Sequence, residues 1–156
     1  MKISKLMTRD VFTCCTHDDL ADAAQLMWDH DIGAVPVLDE HARIVGMITD
    51  RDICMAAYTR GEPIKTISVL STMSEHPTTC GEDAELREVE ALMRGHQIHR
   101  VPVVDDDGRM VGIVSINDLV RSSRLSVEVS SSEVVATIAA VDAARVPSQR
   151  GDSSRS

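Results

Sequence analysis

Residues 31–53 carry the pattern that decides the fold: DIGAVPVLDEHARIVGMITDRDI. Residues 97–119, QIHRVPVVDDDGRMVGIVSINDL, repeat this pattern 66 positions later without a gap. When residues 3–54 are aligned with 69–120, 16 of the 52 pairs are identical and many others are conservative. Self-similarity at a fixed period is the signature of a repeated supersecondary unit. The sequence therefore predicts two copies of one unit, which face each other across a pseudo-two-fold axis.

Each repeat carries the signals of strands and helices in the order β-α-β-β-α. Apolar runs bounded by turn residues predict the strands, and apolar residues at i, i+3 and i+4 predict the helices. The first repeat is predicted to hold an extended piece near Thr13, a helix from Asp18-Asp19, strands over 34–38 and 44–48, and a helix over 50–58. The second is predicted to hold an extended piece over 78–80, a helix over 84–95, strands over 100–104 and 110–114, and a helix over 116–123. Short helical lead-ins are expected over 2–6 and 67–72, and the fold class is mixed, α/β (α+β).

The C-terminal region opens with a capping box, Ser130-x-x-Glu133. Val134, Ile138 and Val141 follow at helical spacing, which predicts a helix over about 131–145 with one apolar stripe. Because so short a helix does not persist alone, we expect it to dock on the module or on a partner subunit. The small polar residues after it are expected to be a disordered tail. The predicted segments are thus a first repeat over 1–62, a second repeat over 63–125 and a C-terminal helix and tail over 126–156.

Composition and charge exclude several classes of partner. The formal net charge is −9 and only 2% of residues are aromatic, so binding to nucleic acid or to anionic lipid is disfavoured. The longest apolar stretch, Val134 to Val141, is far too short to span a membrane. The N-terminus has no apolar leader, and the four cysteines form no CxxC pair. We therefore expect reduced thiols in a cytoplasmic protein.

The quoted stretches resemble the CBS domain, and the pair of them resembles a Bateman module. The likeness is carried by DIGAVPVLD with RIVGMITDRDI and by QIHRVPVVD with RMVGIVSINDL, and it covers about residues 1–125. It is strongest to small stand-alone bacterial CBS-pair proteins without an attached enzyme or channel. The resemblance implies a non-catalytic regulatory module that binds an adenine nucleotide (AMP, ADP, ATP, NAD(H) or S-adenosylmethionine) in the cleft between the repeats. The nucleotide would be a regulatory ligand, and no cofactor is required.

Both repeats satisfy the nucleotide motif of that family, Gly-apolar-x-Ser/Thr-x-x-Asp/Asn, at Gly46–Asp52 and Gly112–Asp118. A strand ends and a helix begins there, so free N–H groups and the positive helix end are expected to face the cleft. The hydroxyls of Thr49 and Ser115 could bond a phosphate or ribose oxygen, and the final aspartate could accept from ribose hydroxyls. The alternative is a plain helix cap with a capping box, and both can hold at once. The predicted nucleotide-binding residues are Thr49, Asp52, His99, Arg100, Ser115 and Asp118, with Arg51, Met47, Ile113, Thr13 and Thr79 around them.

The two repeats differ just before the VPV strand. The first has Gly33-Ala34, whereas the second has His99-Arg100. The Ile-His-Arg run resembles the AMP-binding repeats of the gamma subunit of AMP-activated kinase, in which this His and Arg contact phosphate. The fork of a guanidinium suits phosphate oxygens. We therefore predict that the phosphate-dependent site is the one in the second repeat. The alternative pairs Arg100 with an acidic residue at 105–107 and leaves His99 in solvent. Arg51 could reach a phosphate, but a helix-surface charge is the favoured interpretation.

The cysteines offer a rival interpretation. Cys14 and Cys80 occupy equivalent positions, so a disulfide or a metal site between them, with His17 as a further ligand, is conceivable. Their spacing does not match a zinc motif, and small apolar wall residues are the default expectation. No catalytic motif occurs, so we predict neither an enzyme nor a metal site. The competing functions are an interaction module without a ligand and a thiol-based redox or metal sensor.

The apolar side chains of the helices favour self-association. Six of them exceed what two small cores can easily hide: Met27, Trp28, Met55, Tyr58, Leu92 and Met93. We therefore predict a symmetric homodimer with an isologous helical interface. A regulated protein would be a further partner.

Overall fold

The computed structural model describes residues 1–125 and 129–143, and within them the fold is α+β with two sheets. The strands are β1 (Cys14–Cys15), β2 (Ala34–Leu38), β3 (Ile44–Thr49), β4 (Ser74–Glu75), β5 (Cys80–Gly81), β6 (Arg100–Val104) and β7 (Met110–Ser115). The α-helices are α1 (Leu20–His30), α2 (Asp50–Arg60), α3 (Leu86–His96), α4 (Ile116–Leu125) and α5 (Ser131–Asp142). Short 3₁₀ turns lie at Ile3–Lys5 and Ile64–Thr66. The predicted β-α-β-β-α order is confirmed in both repeats.

The strands of the two sheets are paired in the same way. The first has the order β1-β2-β3-β4 and the second the order β5-β6-β7, with a parallel outer pair and an antiparallel hairpin in each. Ala34 pairs with Thr49, and Arg100 pairs with Ser115 at the same place in the second hairpin. The hairpins also meet each other, because the amide of Met110 donates to the carbonyl of Ala42 over 3.0 Å. This contact joins the two repeats at the ends of their hairpins.

The lead-in of each repeat packs into the other repeat. Ile3 and Met7 are buried in the core of the second repeat, and Thr8 forms a β-bridge with Ile113. Ile67 and Val69 are likewise buried in the core of the first repeat. The strand β4, which the sequence pattern did not predict, continues this exchange by pairing antiparallel with β3. The segment boundaries at 62/63 and 125/126 remain predictions, and core packing crosses the first of them.

The second lead-in is not the helix predicted over 67–72. A 3₁₀ turn precedes it at Ile64–Thr66, and residues 67–72 form turns. The reason is local: Pro63 restricts the backbone, and the Thr66 hydroxyl donates to the Pro63 carbonyl over 2.7 Å. The turn at Val69 is still equivalent to the one at Ile3, since each carbonyl accepts from amides three and four residues later.

The motif glycines are required by this exchange of lead-ins. A Cβ atom on Gly46 would meet the side chain of Met73 and would lie 2.8 Å from the carbonyl oxygen of Ser74. A Cβ atom on Gly112 would lie 2.8 Å from the Met7 sulfur and 2.9 Å from the carbonyl oxygen of Thr8. Real Cβ atoms do not approach backbone oxygen so closely. The first residue of each motif therefore serves packing between strands.

The helix α5 docks on the second repeat, as the sequence predicted, where it contacts α3 and α4. Its buried side chains are Val134, Thr137 and Val141, and Arg94 of α3 donates to the Thr137 hydroxyl over 2.8 Å. Ser130 caps its first turn by accepting from the Glu133 amide over 3.5 Å. The rest of the predicted helix, to 145, and the predicted tail lie outside the described residues.

Part of the reasoning behind the predicted dimer was wrong. Met27 and Met93 are buried in the two repeat cores, because they lie on the inward faces of α1 and α3. Leu92 is half-buried, and Met55 is 46% exposed. Trp28 and Tyr58 are more than four-fifths exposed, on the outer faces of α1 and α2. Among the described helices, none is both long and apolar enough to cross a membrane.

Candidate functional site

A cavity of about 630 Å³ lies between residues of both repeats. The first repeat contributes the start of β2, the end of β3 and the first turn of α2. The second contributes the end of α3 and the start of β6. The lining residues are Gly33, Ala34, Met47, Thr49, Asp50 and Arg51 from the first repeat, Ser74–Thr78 from the connection, and His96–Arg100 and Pro102 from the second.

A smaller recess of about 220 Å³ adjoins the second repeat and is lined by His99, Arg100, Ser115, Ile116 and Asn117. His99 and Arg100, which distinguish the second repeat from the first, line both the larger cavity and the recess. Of the other predicted site residues, Thr49, Arg51 and Met47 line the larger cavity and Ser115 lines the recess. Five predicted residues line neither of these two spaces: Asp52, Asp118, Ile113, Thr13 and Thr79.

The first motif forms a complete helix cap. The Thr49 amide donates to Asp52 Oδ2 over 2.9 Å, and the Asp52 amide donates to Thr49 Oγ1 over 3.1 Å. The Asp50 amide donates to the Gly33 carbonyl, and the Arg51 amide donates to Asp50 Oδ1 over 2.7 Å. All three N–H groups at the start of α2 therefore already have acceptors. The expectation of free N–H groups was wrong here, because the Asp50 carboxylate occupies the place an anion would take.

The second motif differs at this position. The residue equivalent to Asp50 is Ile116, whose amide donates to the His99 carbonyl over 3.0 Å. In the part of the chain that the structure describes, the next amide, that of Asn117, has no acceptor, and Asn117 lines the recess. The start of α4 therefore offers an N–H group to an anion, which the start of α2 does not. The Asp50/Ile116 difference was visible in the aligned repeats, yet the motif, which is indifferent to this residue type, gave it no weight.

Asp118 is more tightly engaged than the motif suggests. It is 7% exposed, and its Oδ2 accepts from both the amide and the hydroxyl of Ser115, over 2.8 Å and 2.6 Å. Arg121 donates to Oδ1 of Asp118 over 3.0 Å. The Ser115 hydroxyl thus donates to Asp118. Three donors already occupy the Asp118 carboxylate, whereas the Asp52 carboxylate accepts only the capping bond from the Thr49 amide.

Arg100 has no ion-pair partner among residues 1–125 and 129–143. The alternative pairing with the acidic turn is not observed, because Asp107 pairs with Arg109 over 2.9 Å and Asp105 accepts from the Arg109 amide. His99 is not left in solvent either, since its Nε2 lies 2.9 Å from Oδ1 of Asp142 on α5. The side chain that contacts His99 thus comes from the C-terminal helix, which motif reasoning could not foresee.

The four cysteines are free thiols, and Cys14 and Cys80 pack in or against the two cores. Burial raises the pKa of Cys14 to about 12 and that of Cys80 to about 11, so both stay protonated at neutral pH. No disulfide joins them, and Cys15 donates its thiol hydrogen to Asp18. Within the described ranges, no group of three or more His, Cys, Asp or Glu side chains could hold a metal ion.

Comparison with known proteins points to one family. The model of the CBS domain matches residues 3–58 and 64–124. The uncharacterised protein YlbB of Bacillus subtilis is 38% identical over 119 residues, which cover 76% of this chain and 79% of that protein. Hypoxic response protein 1 of Mycobacterium tuberculosis is 34% identical over 116 residues, covering 74% of this chain and 80% of that protein.

Two solved structures extend the likeness. Hypoxic Response Protein I, solved with two coordinated zinc ions, superposes with a TM-score of 0.71 at 33% identity, covering 78% of this chain and 98% of that one. The CBS domain pair of MJ0100 was solved in complex with 5′-methylthioadenosine and S-adenosyl-L-methionine. It superposes with a TM-score of 0.69 at 30% identity, covering 78% of this chain and 98% of that one.

Proposed function

Since the chain belongs to the CBS-domain family and carries two CBS domains in tandem, we propose that it is a non-catalytic regulatory module whose ligand is an adenine nucleotide or nucleoside derivative. The observation that carries this proposal is the cavity of about 630 Å³ lined by motif residues of one repeat and by His99 and Arg100 of the other. Its volume is in the usual range of small-ligand sites. The two adenosine compounds bound to the CBS pair of MJ0100 support the same class of ligand.

In the larger cavity, the first repeat would hold the nucleoside and the second would hold the phosphate. Met47 and Pro102 offer apolar surface to a base. The Thr49 hydroxyl, which lines this cavity and accepts from the Asp52 amide, could donate to a ribose oxygen. Arg100 supplies the charge for phosphate, because the described chain gives it no carboxylate partner.

We propose that phosphate is preferred on the side of the second repeat. Arg100 borders the recess there, and so does Asn117, whose amide has no acceptor within the described residues. On the other side, the Asp50 carboxylate lies at the start of α2 and would repel a phosphate. The difference between the repeats at this one helix position therefore supports the same asymmetry as the His99-Arg100 pair.

Titration calorimetry with AMP, ATP, NADH, S-adenosylmethionine and adenosine tests the proposal. At least one of them should bind with a dissociation constant in the micromolar range or below. Absence of binding by all five at millimolar concentration would leave an interaction module as the function. The thiol-sensor alternative has less support, because burial raises the pKa of both Cys14 and Cys80. Zinc titration followed by mass spectrometry would test the metal-sensor alternative directly.

We also propose that the module acts as a symmetric homodimer in the cytoplasm, with a regulated protein as a further partner. The exposed rings of Trp28 and Tyr58 on neighbouring helices support a protein-facing surface. Free thiols suit a reducing compartment. Light scattering at micromolar concentration should give twice the monomer mass, and Trp28→Glu with Tyr58→Glu should halve it. A monomer in the unsubstituted protein would contradict this arrangement.

A further inference from the structure

The C-terminal helix reaches the wall of the proposed site through one pair of side chains. His99, which borders both cavities, places Nε2 at 2.9 Å from Oδ1 of Asp142. Asp142 is the last residue of α5, and its side chain is half-exposed. The buried contacts of α5 lie earlier in the helix, at Val134, Thr137 and Val141. The Asp142 carboxylate is therefore not needed to fill the core, and its recorded contact is with the cavity wall.

The pair has no counterpart in the first repeat. The residue equivalent to His99 is Gly33, and the described part of the chain places no helix on the first repeat as α5 lies on the second. Only the half of the site that carries His99 and Arg100 is thus in contact with the C-terminal helix. A ligand that contacts His99 therefore meets Asp142 as well.

The end of α5 is anionic. Asp142 is acidic, and the last turn of α5, as far as the structure describes it, contains no basic residue. A phosphate that approaches His99 and Arg100 would be repelled by this end and would compete with Asp142 for His99. A neutral nucleoside at the same site would meet neither effect.

We propose that Asp142 is a ligand-sensitive tether: it holds the end of α5 on His99, and a phosphate-bearing nucleotide displaces it. This inference rests on the proposed nucleotide function. Because coupling between two sites is reciprocal, the tether lowers the affinity for phosphate by the same factor by which phosphate loosens the helix. Nucleotide charge would then be reported as docking or release of the end of α5, a surface that a partner protein could read.

The first experiment measures affinity. Asp142→Asn keeps the shape and one hydrogen-bond acceptor but removes the charge, so AMP should bind roughly three- to tenfold more tightly, less so at high salt. Adenosine should bind within about twofold of its original affinity. The matched control is Glu133→Gln, which removes the same charge from the first turn of α5. It should change neither affinity.

The second experiment measures amide hydrogen exchange of residues 131–142, with and without AMP. AMP should speed exchange of the last turn several-fold in the unsubstituted protein, and adenosine should not. Without any ligand, Asp142→Ala and His99→Gln should both speed exchange of that turn, whereas Glu133→Gln should not. These two variants change opposite sides of the same contact. If both speed exchange of the last turn, the cause is loss of the contact and not a folding defect of one variant.

These experiments distinguish failure of the Asp142 tether from failure of the nucleotide function. If AMP binds but Asp142→Asn changes neither its affinity nor the exchange of α5, the tether is wrong and the nucleotide function stands. If neither AMP nor adenosine binds to any of these proteins, the coupling of Asp142 to nucleotide phosphate fails, and the nucleotide function is judged by the other three ligands of the calorimetric titration. If ligand-free Asp142→Ala and His99→Gln exchange like the unsubstituted protein, the contact does not hold the helix.

Discussion

Ala42 and Gly108 occupy equivalent places in the two hairpins, and both have a left-handed backbone, with φ of 60° and 78°. Glycine adopts this conformation without a steric cost, whereas an alanine Cβ crowds the neighbouring carbonyl. The turn is nevertheless kept in both repeats, because each one closes a hairpin anchored by the same bonds to Asp39 or Asp105. The first repeat thus holds a strained residue where the second holds a relaxed one.

We expect Ala42→Gly to stabilise the protein by about 0.5–1 kcal/mol, since relief of the left-handed strain exceeds the added freedom of glycine in the unfolded chain. Gly108→Ala should destabilise by a similar amount, because space is open around its Cβ position and only the backbone matters. Urea unfolding of both variants provides the measurement. A lower free energy of unfolding for Ala42→Gly would mean that the turn in solution differs from this backbone.

Gly46 should tolerate no side chain. Gly46→Ala places a methyl group against the Ser74 carbonyl, which cannot move without breaking the pairing of β3 with β4. We expect a loss of about 1–3 kcal/mol in the free energy of unfolding. Gly81→Ala is the matched control, because nothing lies within 4 Å of its Cβ position. Equal stability of the two variants would show that the lead-in does not cross β3 so closely.

Arg100→Ala should weaken AMP binding about tenfold or more, because a hydrogen bond to a charged group contributes roughly 1.5–3 kcal/mol. Adenosine, which has no phosphate, should bind unchanged. Arg109→Ala removes the same charge from an exposed hairpin, where Arg109 pairs with Asp107, and should leave AMP binding unaltered. Calorimetric titration of the three proteins gives the comparison. Equal loss of adenosine and AMP with Arg100→Ala would place this residue against the base or ribose.

Glu90 should make stability depend on pH. It is 2% exposed, and burial, followed by the nearby charge of Glu133, raises its pKa in the folded protein. The folded state therefore binds the proton more tightly than the unfolded state, so the free energy of unfolding falls as pH rises from about 4.5 through the raised pKa. Glu90→Gln should accordingly be more stable than the unsubstituted protein at pH 7.

The advantage of Glu90→Gln should vanish near pH 4, where Glu90 is protonated in both states. Thermal unfolding at a series of pH values measures this difference. Glu62→Gln, at an exposed loop position, should show no such trend. A Glu90→Gln variant that is less stable at pH 7 would mean that the ionised carboxylate has favourable partners in the fold.

Much of the local structure follows from the sequence alone. The hairpin strands over 34–38 and 100–104 have the bounds predicted from the sequence, because turn residues act within a few positions of the chain. The helix caps at Thr49 and Asp19 are equally local, since each bonds to a residue three positions later. The repeat could be recognised because the two units align over their length without a gap.

Only the tertiary structure reveals the contacts between segments that are distant in sequence. The exchange of lead-ins places Met7 over Gly112 and Met73 over Gly46, and no local pattern says which sheet a lead-in joins. The approach of α5 brings Asp142 to His99, 43 positions away. Within the motifs, the sequence supplied the hydroxyls and carboxylates, but side-chain geometry directed the Ser115 proton to Asp118. Backbone propensity is a local property, whereas the free capacity of a polar group depends on every neighbour that folding brings within 3 Å.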